Sequence, residues 1–186
     1  MSKRTAYLLI FVFLIVFFII IIMSYNKIKS KQYINDISKI LEEDNVQKSD
    51  KEEIEISFDY KENKEIIGII KIEKINFEGV VYNGTTLDLL DKGVGHFLNT
   101  PLFDGNVALA AHNSNKFWAK LKNLNNGDKI IYKTLLGTKE YEVFSSKQID
   151  SNDWSSLENT EDNIITLITC VKGKSELRLC VQAREI

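Results

Sequence analysis

Proline occurs once and cysteine and histidine twice each in the 186 residues of this chain. Two cysteines cannot staple a disulfide-rich scaffold, and two histidines with no close Cys or His neighbour do not form a structural zinc site. Charge is nearly balanced, with 24 basic against 26 acidic residues for a net −2. No block of like charge is long enough for a nucleic-acid footprint, so nucleic acid is excluded as a partner. Whatever chemistry the chain performs must rest on very few special residues.

What is abundant is apolar sequence near the start. Ala6 to Met23 is an uncharged run of 18 residues, and at about 1.5 Å per residue it would span roughly 27 Å, close to the hydrocarbon thickness of a bilayer. It is longer than a signal-peptide core, and Ile22-Met23-Ser24-Tyr25 offers no small-x-small cleavage site. The expectation is an uncleaved anchor in residues 1–23, its N-terminus cytoplasmic, with lipid contact through residues 6–23. Lys27, Lys29 and Lys31 offset Lys3 and Arg4 in the charge rule for orientation. The case for an outside domain therefore rests on the chemistry below. Residues 24–53 read as a polar stalk or linker; Tyr33, Ile34, Ile37 and Leu41 at helical spacing allow a short amphipathic helix there.

Residues 54–186 change character. Short β-branched and aromatic runs alternate with turn signals, predicting strands at Ile54–Tyr60, Ile66–Ile72, Val80–Tyr82, Asn106–Ala111, Lys129–Thr134, Lys139–Gln148, Asn163–Cys170 and Glu176–Ala183. Leu136-Gly137-Thr138 is read as a hairpin turn, and Leu87–Lys92 and Phe117–Leu121 as short helices. About eight strands with little helix point to an all-β domain, a closed or nearly closed barrel.

Three side chains stand where chemistry is possible. Cys170 ends an apolar strand before the polar turn Val171–Ser175, so a rigid scaffold would deliver a thiol to a rim. Arg178 shares parity with Cys170 if the two strands form a hairpin. With Glu176 opposite Cys170, Cys180 would lie about 13 Å away, beyond a disulfide. His112 follows another strand. A thiol with an ordinary pKa of about 8.5 needs such a partner to ionise or to protonate a leaving amine. His96, between glycine-rich neighbours, reads as structural.

These residues resemble the sortases, membrane-anchored cysteine transpeptidases of mainly Gram-positive cell surfaces. Thr166-Leu167-Ile168-Thr169-Cys170 is similar to the TLxTC signature of that family, Ala110-Ala111-His112-Asn113 to its histidine segment, and Arg178 to its arginine. Gly93–Phe97 with Thr100-Pro101 resembles a further conserved stretch, and the likeness covers roughly residues 66–184. The resemblance implies an eight-stranded barrel that cleaves an LPxTG-like sorting signal between Thr and Gly. Cys170 would form the thioacyl intermediate, His112 would shuttle the proton and Arg178 would steady the oxyanion. Thr169, through its hydroxyl or backbone, is expected to assist, with Ala111 and Asn113 in the substrate-contacting set. The implied acceptor is an amine, a peptidoglycan precursor by family analogy.

The short segment Ser145–Asp162 and the lack of an Asp-Pro-aromatic lid favour a class D-like member, with class A-like next. No cofactor is expected; calcium is left open at Asp88–Asp91 and Glu158–Asp162, where scattered acids are ordinarily solvated. The competing reading is a non-catalytic, membrane-tethered barrel that binds a surface partner, with Cys170 inert.

Overall fold

The structure, a computed structural model, describes residues 3–47 and 66–186, and the chain divides into two units, Met1–Ile40 and Leu41–Ile186. Helix α1 (Lys3–Gln47) contains neither glycine nor proline and runs unbroken through the boundary expected after residue 23. Its side chains from Phe11 to Met23 are exposed. Among the described residues no helix is long and apolar enough to cross a membrane. The side chains of residues 6–10 in the expected span lie outside the description, and the expected transmembrane helix is not found among the described residues. The strand expected at Ile54–Tyr60 also lies outside the described residues.

Among the described residues eight strands form a closed barrel: β1 (Ile66–Ile72), β2 (Phe77–Asn83), β3 (Val94–His96), β4 (Asn106–Ala110), β5 (Lys129–Thr134), β6 (Gly137–Asp150), β7 (Ile164–Val171) and β8 (Lys174–Glu185). Around the barrel they follow the order β1-β2-β3-β4-β7-β8-β6-β5. Pairing is antiparallel except at β2–β3 and β4–β7. Parallel neighbours need a crossover, which helix α2 (Leu87–Lys92) supplies between β2 and β3. Seven of these strands match the sequence reading, and β3 is an eighth that it does not name. Gly95 in it permits close backbone approach rather than a bend: a Cβ there would collide with the Gly84 carbonyl oxygen. The β5–β6 hairpin turns at Leu135-Leu136, ahead of the expected centre at Gly137, because Gly137 already pairs with Thr134. The expected helix at Phe117–Leu121 is instead a series of turns followed by a 3₁₀ turn at Leu121–Asn123.

Inward-facing residues of every strand fill the barrel, including Ile70, Val81, Val94, Leu109, Ile130, Ile165, Leu167 and Val181. Tyr132 and Tyr141 are fully buried among them. Trp118 is completely buried and meets Phe77 edge-on at 6.2 Å. Its backbone amide donates to the His112 carbonyl at 3.0 Å, so the loop after β4 is anchored into the core. His96 is 1% exposed; its Nε2 lies 3.0 Å from the Pro101 carbonyl oxygen, which only an N–H can satisfy. The Thr100 hydroxyl donates to the Phe97 carbonyl and accepts from the Ala108 amide, folding residues 97–101 onto β4. His96 therefore belongs to the scaffold, and burial holds its pKa below the ordinary histidine value.

Two outcomes follow. Trp118→Ala should cost about 3–5 kcal/mol, measured as a lower denaturant midpoint at constant slope. For His96 the neutral form is favoured only in the folded state, so its contribution is complete above the unfolded value near pH 6.5 and is lost as pH falls through that value toward the lower folded one. The melting temperature should therefore drop more between about pH 7.5 and pH 5 in the native chain than in His96→Gln. Equal drops would remove His96 as the source.

Candidate active site

The site is assembled by register. Because β4 and β7 are parallel, their carboxyl ends lie together, and the paired residues from Asn106↔Ile164 to Ala110↔Ile168 share one constant offset. That same offset of 58 residues brings Ala111 beside Thr169, whose hydroxyl donates to the Ala111 carbonyl at 2.7 Å. His112 and Cys170 are the next such pair along the two chains. The Ala111 amide donates to the Ile168 carbonyl, and Asn113 Nδ2 donates to the Cys170 carbonyl at 2.6 Å.

On the other side, β8 places Arg178 directly across from Cys170. The sequence reading put Glu176 there, and the difference is a bulge. Val171 pairs with Lys174 across a tight turn whose Gly173 has a left-handed φ of 76°, and three further residues of β8 then pass before Arg178 meets Cys170. The guanidinium closes this bulge, donating from one nitrogen to the Ser175 and Leu177 carbonyls at 2.8 and 2.9 Å. Parity survives, so thiol and guanidinium share a face.

The same shift brings Cys180 opposite Ile168, diagonal to Cys170 and nearer than the expected 13 Å. Both thiols are nevertheless free; Cys170 is exposed and Cys180 buried. Diagonal neighbours sit about 7–8 Å apart at Cα, too far for a relaxed disulfide. Burial pushes the Cys180 thiol's pKa up, and a hydrogen bond with Ser156 opposes that rise. Of the two thiols, Cys170 is the one open to solvent.

A groove of about 270 Å³ opens beside these residues. Leu87, Leu90, Phe97, Ile149, Leu157 and Ile168 give it apolar walls, and His112, Cys170 and Arg178 line it as polar groups. Trp154 stands edge-on to Phe97 at 6.2 Å and remains 60% exposed at the rim. One wall is the β6–β7 connection, which a chain of buried polar groups fastens to the barrel. Asn106 Nδ2 donates to the Ser156 and Glu158 carbonyls, the Thr166 hydroxyl donates to Asn106 Oδ1, and Gln182 donates to Thr166. Both threonines of the signature-like run thus tie segments together.

Of the remaining expected site residues, Thr169 is buried and also lines the groove, its hydroxyl donating to the Ala111 carbonyl. Ala111 is buried at the groove wall, and Asn113 does not line the apolar groove. The sequence reading missed Asp91 as a partner of His112: its Oδ1 lies 3.0 Å from His112 Nε2, while Lys116 donates to the Asp91 carbonyl. Among the described residues no three His, Cys, Asp or Glu side chains are grouped to hold a metal ion. Asp91 is engaged with His112 and Asp162 with Arg184.

Similarity to known proteins agrees with this geometry. The chain is 34% identical to sortase D of Bacillus subtilis over 107 residues, covering 55% of this chain and 53% of that protein. It is 30% identical to sortase A of Bacillus anthracis over 129 residues, covering 67% and 61%. The matched region thus spans little more than half the length of these curated relatives. Sortase C1 from Streptococcus suis superposes with a TM-score of 0.62 at 30% identity, over 66% of this chain and 73% of that one. The sortase domain model itself matches residues 70–186, the whole barrel apart from the first residues of β1, and the chain belongs to the sortase family.

Proposed function

We propose that this chain is a cysteine transpeptidase that cleaves an LPxTG-like sorting signal between Thr and Gly and transfers the released acyl group to an amine of the cell wall. The observation that carries this reading is the facing pair Cys170 and Arg178, in one groove with His112. In that groove the thiolate of Cys170 attacks the threonine carbonyl, and the guanidinium, always charged, hydrogen-bonds the oxygen on which charge develops. His112 protonates the departing glycine amine and later takes the proton of the incoming one. Asp91 accepts from the ring and limits its rotation. The apolar walls suit the leucine and proline of the signal, and binding there holds the scissile carbonyl at the sulfur.

Residues 6–23 are assigned to a membrane anchor with the N-terminus cytoplasmic and the barrel outside. The exposed apolar side chains from Phe11 to Met23 support this, since such a helix surface is stable only when something other than water covers it. A class D-like subclass is favoured by the similarity to sortase D and by a β6–β7 connection that contains a single 3₁₀ turn, Ser155–Leu157. A purely binding role fits poorly with an exposed thiol.

The test is cleavage of a quenched LPxTG-type peptide by the full-length chain. Cys170→Ala should abolish release, and undiminished turnover would end the proposal. His112→Ala and Arg178→Ala should each lose at least ~100-fold in rate, because each acts mainly on the transition state.

A further inference from the structure

Cys170 also borders a second groove, and it is the one lining residue that this groove shares with the apolar one. It measures about 410 Å³ and is lined by Asn113, Asn115, Lys120, Lys122, Gln148 and Lys172 among others, with no Asp or Glu in its wall. A shallower continuation adds His112 and Ser114 and again contains Cys170 and Lys172. The apolar groove, by contrast, has Asp150 and Asp153 in its lining. Lys120, Lys122 and Lys172 are exposed, and none makes an ion pair among the described residues. Three unneutralised lysines converge there from two separate segments, the loop after β4 and the β7–β8 turn.

Resting on the function proposed above, the geometry points to this lysine-lined groove as the acceptor site, selective for amines on a molecule that also carries carboxylate or phosphate. Once the thioacyl enzyme has formed, the apolar groove is filled by the acyl half of the signal. The next nucleophile must arrive from the unfilled side of the sulfur, which is this groove. There the amine lone pair attacks the thioester carbon, and a C–N bond forms as the C–S bond breaks. The electron pair returns to sulfur, and the amine proton passes to His112 and then to the thiolate. Thioester plus amine gives amide plus thiol, with no other reactant. Water reaches the same carbon but gains nothing from the lysines, so the positive wall raises the share of transfer over hydrolysis for an anionic acceptor.

The experiment uses the full-length chain, one LPxTG-type peptide, and acceptor pairs that differ only in charge: triglycine against triglycine amide, and aminoethyl phosphate against ethanolamine. The kcat/KM of transfer should favour the charged member of a pair by about tenfold at low salt. That ratio should fall to about one in the triple variant Lys120→Ala, Lys122→Ala, Lys172→Ala and also in the native chain at about 0.5 M salt. The neutral acceptor, run on the same preparation, corrects for any loss of folded protein. Preference confined to the carboxylate pair or to the phosphate pair assigns the anion. Charge-blind transfer by the native chain would overturn the groove while leaving the function intact. Failure to cleave the peptide would remove both.

Discussion

The parallel pairing of β4 with β7 is the constraint on which the site depends. Two strands far apart in sequence end at the same rim with a constant offset, so the residue after one strand and the last residues of the other become neighbours without any local sequence signal. The register is held from inside: Val107 and Leu109 of β4 and Ile165 and Leu167 of β7 are completely buried, and a one-residue slip of either strand would turn its own pair outward. Thr169 to Ala111 and Asn113 to Cys170 then lock the rim itself.

Polar groups fix what the core leaves loose. The chain from Gln182 through Thr166 and Asn106 to the Ser156 and Glu158 carbonyls secures the groove wall. Lys139, only 6% exposed, is paired with Asp104 at 2.7 Å and Glu185 at 3.1 Å and lies over the Phe103 ring, pinning the segment before β4 to the far side of the barrel. A buried ammonium is tolerated because it is neutralised twice, and removing one partner would leave an uncompensated charge.

Much of this was legible in the sequence because the barrel's alternation is strong: seven of the predicted strands lie within or overlap observed ones. Cys170 and His112 stood out because each is polar at the end of an apolar run. What escaped had a non-local cause. The bulge that brings Arg178 opposite Cys170 is a property of two strands together. Strand β3 is too short for periodicity, and Gly95 within it and Gly93 just before it mimic a turn. Asp91 is 21 residues from His112 on another element, and nothing in its own surroundings separates it from a solvated acid. Asn106, a lone amide opening the apolar run Asn106–Ala110, was the one missed residue with a visible signal, since a buried amide demands partners.

The tip of the β5–β6 hairpin lies between His112 and Cys170 along the chain, yet it is at the opposite end of β6 from Ile149 and Asp150, the residues of that strand that line the apolar groove. Polypeptide length at its Leu135-Leu136 tip is therefore decoupled from catalytic geometry. That tip is a natural point for splicing in a reporter or cargo module, and for lineages to acquire new appendages without rebuilding the chemistry.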